Sequence, residues 1–285
     1  MTAMNICWFD DSRLGLVVGS EVCDVTRALE VLPPPRYPAP LGDTLVAHLD
    51  AVRAEIGRLK DSARRCPLAQ VRLLSPVARP SKIIGVPVNY ADHVREARNA
   101  AATFKQYAGG IEEQGLFLKA TSSLVGCGEG VQVHFPQRPT HHEIELAVVI
   151  GKAGKAIPKA MALSHVAGYA IGLDMTVRGG EDRSFRKSID TYSVLGPWLT
   201  TADDVADPQN LALGLSVNGQ PRQQSNTRHM IMDIAQQIAW ASTFYTLVPG
   251  DVIMTGTCDG VGPVGAGDLM LATIEGLGSM SVEVR

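Results

Sequence analysis

The stretch "THHEIELAVVIG", Thr140 to Gly151, decides the fold and raises a chemical question. Its second half, Ile144 to Ile150, is apolar except at Glu145 and rich in β-branched residues, which predicts a buried strand. Glu143 and Glu145 are two residues apart, so in a strand their side chains project from one face, about 6.6 Å apart. Buried carboxylates at this spacing resist leaving water and raise each other's pKa. A buried strand that carries both carboxylates therefore needs a positively charged partner beside them.

A divalent cation would remove this conflict, because Mg²⁺ and Mn²⁺ prefer carboxylate oxygens as ligands. The stretch "GYAIGLDMTVR" offers a third carboxylate, since Asp174 ends an otherwise apolar strand. We therefore predict a Mg²⁺ or Mn²⁺ site formed by Glu143, Glu145 and Asp174. The alternative is that the glutamates are solvated at a strand end and that Asp174 caps the following turn.

Two histidines, His141 and His142, precede the glutamates and raise the possibility of zinc, whose sites combine histidine with carboxylate. Adjacent residues of a strand point to opposite faces, so both histidines cannot join the glutamates. The local pattern favours a site of carboxylates alone and hence a hard metal.

The length, net charge and cysteine content of the chain indicate which class of protein it belongs to. A chain of 285 residues that is 45% apolar forms one large domain, or a large domain with a small companion. A net charge of −3 does not suggest a nucleic-acid partner, and no apolar run reaches the roughly 18 residues of a membrane span. The start of the sequence lacks a signal-peptide core, and the five scattered cysteines favour reduced thiols. We expect a cytoplasmic protein that binds neither nucleic acid nor membrane.

The order of patterns along the chain predicts a β-rich α+β fold. Residues 1–75 read as a small α+β domain that begins with two strands joined by a turn at Asp10–Arg13. Residues 76–285 contain short strands punctuated by glycine, with helical patterns near Asp92–Ala102 and at Met230–Phe244. Widely spaced strands with few helices favour a mixed β-roll over a doubly wound sheet.

Several motifs in series resemble the fumarylacetoacetate hydrolase superfamily, and the resemblance runs from Ser81 to the end of the chain. They are "HHEIELAVVIGK", "GYAIGLDMTVR", "RSFRKSIDTYSVLGPWL" and "PGDVIMTGTCDGVGPV". The stretch "NYADHVREAR" resembles its acylpyruvase and oxaloacetate decarboxylase branch. The resemblance implies a mixed β-roll of the fumarylacetoacetate hydrolase C-terminal type, a homodimer, and Mg²⁺ or Mn²⁺ bound by Glu143, Glu145 and Asp174.

The activity that the resemblance implies is hydrolysis of a carbon–carbon bond in an acylpyruvate-like diketo acid, such as fumarylpyruvate or maleylpyruvate from aromatic catabolism. Breaking this bond releases the electrons of a pyruvate enolate, a negative charge that a cation stabilises. The expected partner is therefore a small 2-oxo acid.

Hydrolysis also needs an activated water. His93 and Glu96 are three residues apart, so on a helical turn they share a face and can form a hydrogen bond. Glu96 would then orient the imidazole of His93, which would accept a proton from water. The alternative is a solvated helix start capped by Asp92.

The same resemblance assigns one more catalytic residue. Lys187 is similar to the active-site lysine of the family and would stabilise the enolate or the acyl oxygen. Arg178, four residues after Asp174, is expected to bind the substrate carboxylate, and Thr257 to offer its hydroxyl and backbone N–H to the same group. The alternative for Thr257 is a residue of a turn.

Four further positions complete the expectations. The resemblance places Glu181 where the acylpyruvase branch commonly has a glutamine, so we expect Glu181 at the substrate site, where its charge would repel an anion unless it were protonated or turned away. Arg183 and Arg186 are expected at the surface, and Tyr192 in the core.

Other chemistries remain open. An isomerase, hydratase or decarboxylase of a related 2-oxo acid would use the same metal site, and a non-catalytic metal-binding scaffold could keep the fold. His93 and Glu96 favour hydrolysis, and a scaffold would need neither His93 nor Lys187.

Overall fold

The computed structural model describes residues 4–99 and 110–285. Within these ranges, no helix combines the length and the apolar character that crossing a membrane requires.

The N-terminal part begins with the expected hairpin. Strands β1 (Asn5–Phe9) and β2 (Arg13–Val18) pair antiparallel, with Phe9 opposite Arg13, so the turn falls where the sequence predicts it. Two helices follow, α1 (Thr44–Ala47) and α2 (Leu49–Leu59). The elements of this part are β1 (Asn5–Phe9), β2 (Arg13–Val18), β3 (Glu21–Asp24), α1 (Thr44–Ala47), α2 (Leu49–Leu59), β4 (Arg65–Pro67) and β5 (Leu73–Leu74).

The remaining chain is rich in strands, which confirms the α+β class. Its first half contains β6 (Ile83–Gly85), α3 (Ala91–Asn99), α4 (Ile111–Gln114), β7 (Phe117–Lys119), β8 (Leu124–Gly126), β9 (Thr140–His142), β10 (Ile144–Ile150), β11 (Val166–Asp174), β12 (Thr176–Val177) and α5 (Arg183–Lys187). Its second half contains β13 (Ser193–Thr201), β14 (Ala212–Val217), β15 (Gln220–Asn226), α6 (Ile234–Phe244), β16 (Val252–Met254), β17 (Gly262–Val264), β18 (Leu269–Ile274) and β19 (Gly278–Glu283).

Two helices differ from their predicted bounds. Helix α3 is described as far as Asn99, and the last predicted residues, 100–102, lie outside the described residues. Helix α6 starts at Ile234 rather than Met230, because Asp233 caps it: its Oδ1 atom accepts the Gln236 N–H at 2.7 Å. The Gln236 side chain accepts the Asp233 N–H in return, which completes a capping box.

The strands form a mixed β-roll, as expected. Twelve strands make the main sheet, in the order β4-β3-β2-β1-β13-β11-β10-β16-β6-β7, with β5 beside β1 and β8 beside β13. The pairs β6–β16 and β8–β13 are parallel, whereas β10 is antiparallel to both of its neighbours. Two smaller sheets follow the orders β12-β9-β17 and β15-β14-β18-β19. All seven residues of β10 are buried, so this strand is the centre of the fold.

Strands within residues 4–75 continue the main sheet. Strand β1 pairs with β13, with Ile6 opposite Leu199. One apolar cluster includes Ile6 and Val52 of this part together with Val149 and Met254 of the rest. The division of the chain at residues 75 and 76 stays a prediction.

Strand pairing brings the acidic residues together. Ile144 lies opposite Leu173 in the β10–β11 ladder, so the end of β11 lies beside the start of β10. The Asp174 N–H donates to the Glu143 carbonyl at 2.9 Å, which fixes the two residues side by side. Strand β16 lies along the other edge of β10 and delivers the turn at 255–257 to the same place.

Candidate active site

Three carboxylates form a buried cluster. Glu143 lies between β9 and β10, Glu145 lies in β10, and Asp174 is the last residue of β11. One ligand atom from each lies within 4.8 Å of the others, and all three side chains are buried. The side chains therefore converge on one small volume.

Three cationic side chains surround this cluster. Lys187 donates from Nζ to Glu143 Oε2 and to Asp174 Oδ2, both at 2.7 Å. Arg178 donates from Nη2 to Glu143 Oε1 at 3.1 Å. The fully buried Lys119 bonds to Asp174 Oδ1 and donates to the Tyr192 carbonyl at 2.7 Å.

The two glutamates respond to these surroundings in opposite ways. Burial raises the pKa of Glu143, but the charges of Lys187 and Arg178 outweigh burial and hold this pKa well below its usual range. Burial and the neighbouring Asp174 carboxylate raise the pKa of Glu145 well above its usual range. A conflict between buried acids persists at Glu145, and a divalent cation would resolve it.

The donor set fits a hard cation. Every member of the cluster offers carboxylate oxygen, which is the ligand that Mg²⁺ and Mn²⁺ prefer. His141 Nδ1 instead accepts the Arg178 Nε–H at 3.0 Å, and His142 Nδ1 lies 2.9 Å from Gln223 Oε1. Burial and the charge of Arg178 lower the pKa of His141 to about 4, which suits its role as an acceptor. Neither histidine joins the carboxylate cluster.

A glycine turn anchors Glu145. The Gly256 N–H donates to Glu145 Oε2 at 2.8 Å. Gly256 has a φ of +96°, and a Cβ at this position would lie 2.6 Å from the Cβ of Asn89. Only glycine fits this turn, because a side chain would meet both strain and a close contact.

Thr257 follows this turn and lines the cavity described below. Its hydroxyl donates to the Ile144 carbonyl at 2.8 Å and accepts from Gln223 Nε2 at 2.7 Å. The hydroxyl hydrogen is therefore used within the chain, and the predicted contact with substrate rests on the backbone N–H.

His93 and Glu96 form the pair that their spacing predicts. His93 Nδ1 lies 3.0 Å from Glu96 Oε2, and the Gly260 N–H donates to Glu96 Oε1 at 3.1 Å. Burial raises the pKa of Glu96, but the hydrogen bonds from His93 and Gly260 reverse this effect and leave the pKa below its usual value. An ionised Glu96 holds the proton of His93 on Nδ1, so Nε2 is the ring atom that can accept a proton.

One cavity contains most of the predicted site. Its lining includes the three carboxylates together with His93, Arg178, Lys187 and Thr257. Glu96 lies behind His93 and bonds to it. Val86, Pro87, Val88 and Phe117 supply the apolar part of the lining.

Glu181 lies outside this cavity, which corrects its expected role in substrate binding. Its side chain is 44% exposed and bonds to Arg138 through both oxygens, at 2.9 and 2.7 Å. These hydrogen bonds lower the pKa of Glu181, so the residue is ionised and turned away. The repulsion of an anionic substrate that its position suggests is thereby avoided.

Arg183 and Arg186 are not the surface residues that the sequence suggested. Arg186 is only 4% exposed, Arg183 is half-buried, and both line the cavity. The physical reason is helix α5, in which positions i, i+3 and i+4 share one face, so both arginines lie on the face of Lys187.

Sequence reasoning also missed Lys119, Gln114 and Phe117. Lys119 ends an apolar strand, as Asp174 does, and this signal could have identified it. Gln114 lies in the four-residue helix α4, which carries no such signal. Tyr192 is fully buried, with its hydroxyl 3.1 Å from Thr140 Oγ1, which confirms its place in the core.

A mixed β-roll that buries three carboxylates beside a His–Glu pair defines a metal-dependent enzyme. The family model described as "Fumarylacetoacetate (FAA) hydrolase C-terminal" matches residues 82–285. The chain belongs to the fumarylacetoacetate hydrolase family, which confirms the resemblance of its motifs.

Known relatives agree with this family. A maleylpyruvate hydrolase from Aquipseudomonas alcaligenes is 52% identical over 288 residues, which cover 99% of each chain. The mitochondrial oxaloacetate tautomerase FAHD2A from Bos taurus is 41% identical over 202 residues, or 69% of this chain and 62% of the relative.

A solved structure shows the same fold with ligands bound. The maleylpyruvate hydrolase from Sphingobium sp. SYK-6, in complex with manganese(II) and pyruvate, has a TM-score of 0.83 and 41% identity and covers 99% of this chain and 98% of its own. The prediction of a metal-dependent hydrolase of this family, which uses Mg²⁺ or Mn²⁺, is confirmed at the level of the family.

Proposed function

We propose that this chain hydrolyses the carbon–carbon bond of an acylpyruvate, with maleylpyruvate as the first candidate substrate. The observation that carries this proposal is that the buried carboxylate cluster and His93 line a single cavity. The full-length similarity to a maleylpyruvate hydrolase supports the choice of substrate.

Glu143, Glu145 and Asp174 would hold the divalent cation. When bound, the cation supplies a positive charge that polarises the keto group of the substrate and stabilises negative charge as the bond breaks. The residues of the chain supply the remaining steps.

His93 is the proposed general base. Its Nδ1–H is held by Glu96, so Nε2 accepts a proton from the attacking water. The water oxygen adds to the acyl carbonyl, and the bond between this carbon and the pyruvate methylene breaks. The electron pair of that bond and one proton end on the methylene carbon, so maleylpyruvate and water give maleate and pyruvate.

Lys187 and Arg178 are the proposed electrostatic groups. Lys187 donates to two of the candidate metal ligands, which supports the proposal that its ammonium group stabilises the negative charge that develops on the substrate. Arg178 holds Glu143 in place and is proposed to donate to the substrate carboxylate as well. The Thr257 N–H is proposed to contact the same carboxylate.

The experiment is a substrate panel on the full chain, with maleylpyruvate, fumarylpyruvate, acetylpyruvate and oxaloacetate, each measured with Mn²⁺ and after removal of metal. We expect Mn²⁺-dependent release of pyruvate from maleylpyruvate. Enol–keto conversion of oxaloacetate without hydrolysis of any acylpyruvate would instead favour the tautomerase activity of the FAHD2A relative. A rise in melting temperature with Mn²⁺ but no turnover of any compound would favour a scaffold.

We also propose that the enzyme acts as a homodimer in the cytoplasm. The family resemblance supports the dimer, and the five unpaired cysteines, four of them buried, are consistent with a reducing compartment. Light scattering of the purified chain tests the dimer, and a monomer mass would contradict it.

A further inference from the structure

The lining of the cavity is rich in positive charge. Lys187 and Arg178 bond to the carboxylate cluster, and Arg183 and Arg186 line the cavity from helix α5. Among the described residues of the lining, four Arg and Lys side chains face three carboxylates, before the charge of a metal is added. A cavity of this composition favours a ligand with more than one negative charge.

Helix α5 sets the distance between the two ends of the cavity. Arg183 and Lys187 are four residues apart, which places them on one face about 6 Å apart along the axis. Lys187 marks the end that holds the metal ligands. Arg183 therefore lies one helical turn from that end, a separation comparable to the length of a short acyl tail.

The structure holds the Arg183 side chain in this position. Its Nη2 atom donates to Gln114 Oε1 at 2.8 Å, and its guanidinium carbon lies 5.1 Å from the centre of the Phe117 ring. Lys187 Nζ lies 5.5 Å from the same ring centre. Phe117 thus lies against both cations and contributes an apolar part of the cavity lining.

From this arrangement we infer that Arg183, positioned by Gln114 and Phe117, binds a second carboxylate at the far end of the acyl tail. Resting on the proposed function, this inference makes the enzyme specific for diketo acids that carry a carboxylate at each end. A guanidinium donates two parallel hydrogen bonds to a carboxylate, which suits a terminal anion. Arg186 adds charge to this end of the cavity, while its Nε–H donates to the Glu181 carbonyl at 2.9 Å.

The test uses two stable 2-oxo acids of equal length that contain no bond to hydrolyse. These are 2-oxoheptanedioate, with a carboxylate at each end, and 2-oxoheptanoate, with one. Calorimetry on the Mn²⁺-loaded chain is expected to show that the diacid binds more tightly by about tenfold to a hundredfold, the value of one charged hydrogen-bonded pair.

Two variants isolate Arg183. Arg183→Met is expected to remove the preference for the diacid and to leave the affinity for the monoacid within about twofold. Gln114→Glu would pair Arg183 with a carboxylate and is expected to weaken binding of the diacid alone. Arg58 is exposed on α2, so Arg58→Met is the control for loss of one positive charge and should leave the affinity for both acids unchanged. Retention of the Mn²⁺-induced rise in melting temperature shows that the variants fold.

Equal affinity of the wild-type chain for both acids, binding of neither, or an equal loss of both in Arg183→Met would overturn the inference. These outcomes are separate from the proposed hydrolysis. A chain that prefers the diacid but turns over no acylpyruvate would keep the inference and refute the activity. A chain that hydrolyses acetylpyruvate and maleylpyruvate with equal kcat/KM would confirm the hydrolase activity and refute the inference about Arg183.

Discussion

The Nζ atom of Lys187 lies 2.7 Å from the Oε2 atom of Glu143. This contact helps to keep Glu143 ionised inside the protein, because burial raises the pKa of the glutamate and the charges of Lys187 and Arg178 together outweigh that effect. A charged donor is thereby fixed beside the place where the substrate keto group would bind. We propose that Lys187 acts on the substrate rather than as a ligand of the metal, because its ammonium group is a donor and not an acceptor.

Lys187→Met is therefore expected to lower kcat by about 10²–10³, the usual loss when one donor to a developing charge is removed. The Mn²⁺-induced rise in melting temperature should remain, since all three carboxylates are kept. Steady-state kinetics and thermal unfolding check both parts, and an unchanged kcat would contradict the role given to Lys187.

Glu145→Gln keeps the shape of the side chain and removes its charge. Since Glu145 is one of only three carboxylates in the cluster, the variant should lose both the stabilisation by Mn²⁺ and the hydrolase activity. Calorimetric titration with Mn²⁺ measures the first effect. Activity that survives in Glu145→Gln would remove this residue from the metal site.

His93→Ala should reduce hydrolysis by about 10²–10⁴, the usual scale for loss of a general base. Binding of Mn²⁺ should be unaffected. Glu96→Gln should cause a smaller loss, because it removes the orientation of the imidazole and leaves the ring in place. If His93→Ala hydrolysed at the wild-type rate, another residue would have to activate the water.

Lys119→Met tests the buried pair with Asp174. Both side chains are almost fully buried, and loss of the ammonium group leaves Asp174 Oδ1 without this donor, while Lys187 still donates to Asp174 Oδ2. We expect the metal-free chain to lose about 1–3 kcal/mol of unfolding free energy, measured with denaturant. The exposed Lys155→Met is the control and should change stability by no more than about 0.5 kcal/mol. A loss as small as that of the control would show that Asp174 does not depend on Lys119.

Glu181→Gln tests the correction made at this position. Glu181 pairs with Arg138 at the surface, and an exposed pair contributes about 1 kcal/mol or less. The variant should therefore keep its KM and kcat within about twofold and its melting temperature nearly unchanged. A large rise in KM would return Glu181 to the substrate site.

The carboxylate cluster could be predicted because strand geometry is local. The alternation of side chains in a strand places Glu143 and Glu145 together. Asp174 ends an otherwise apolar strand, which indicates a functional role for its carboxylate. The pair His93 and Glu96 follows in the same way from the periodicity of a helix.

Other features depend on contacts between distant parts of the chain. Lys119 meets Asp174 across 55 residues, and Ile6 of β1 lies opposite Leu199 of β13, so no local pattern reveals either pairing. Helix α5 has five residues, too few for its periodicity to show that Arg183 and Arg186 share the face of Lys187. The positive charges of Arg183 and Arg186 in the cavity therefore could not be predicted from the sequence and are seen only in the structure.

The central claim is that three acids bind the divalent cation on which hydrolysis depends. Diffraction from crystals soaked in Mn²⁺, recorded at the manganese absorption edge, tests it most directly. We predict one strong anomalous peak in contact with carboxylate oxygens of Glu143, Glu145 and Asp174. No peak at these residues, or a peak at His141 or His142 instead, would contradict the account.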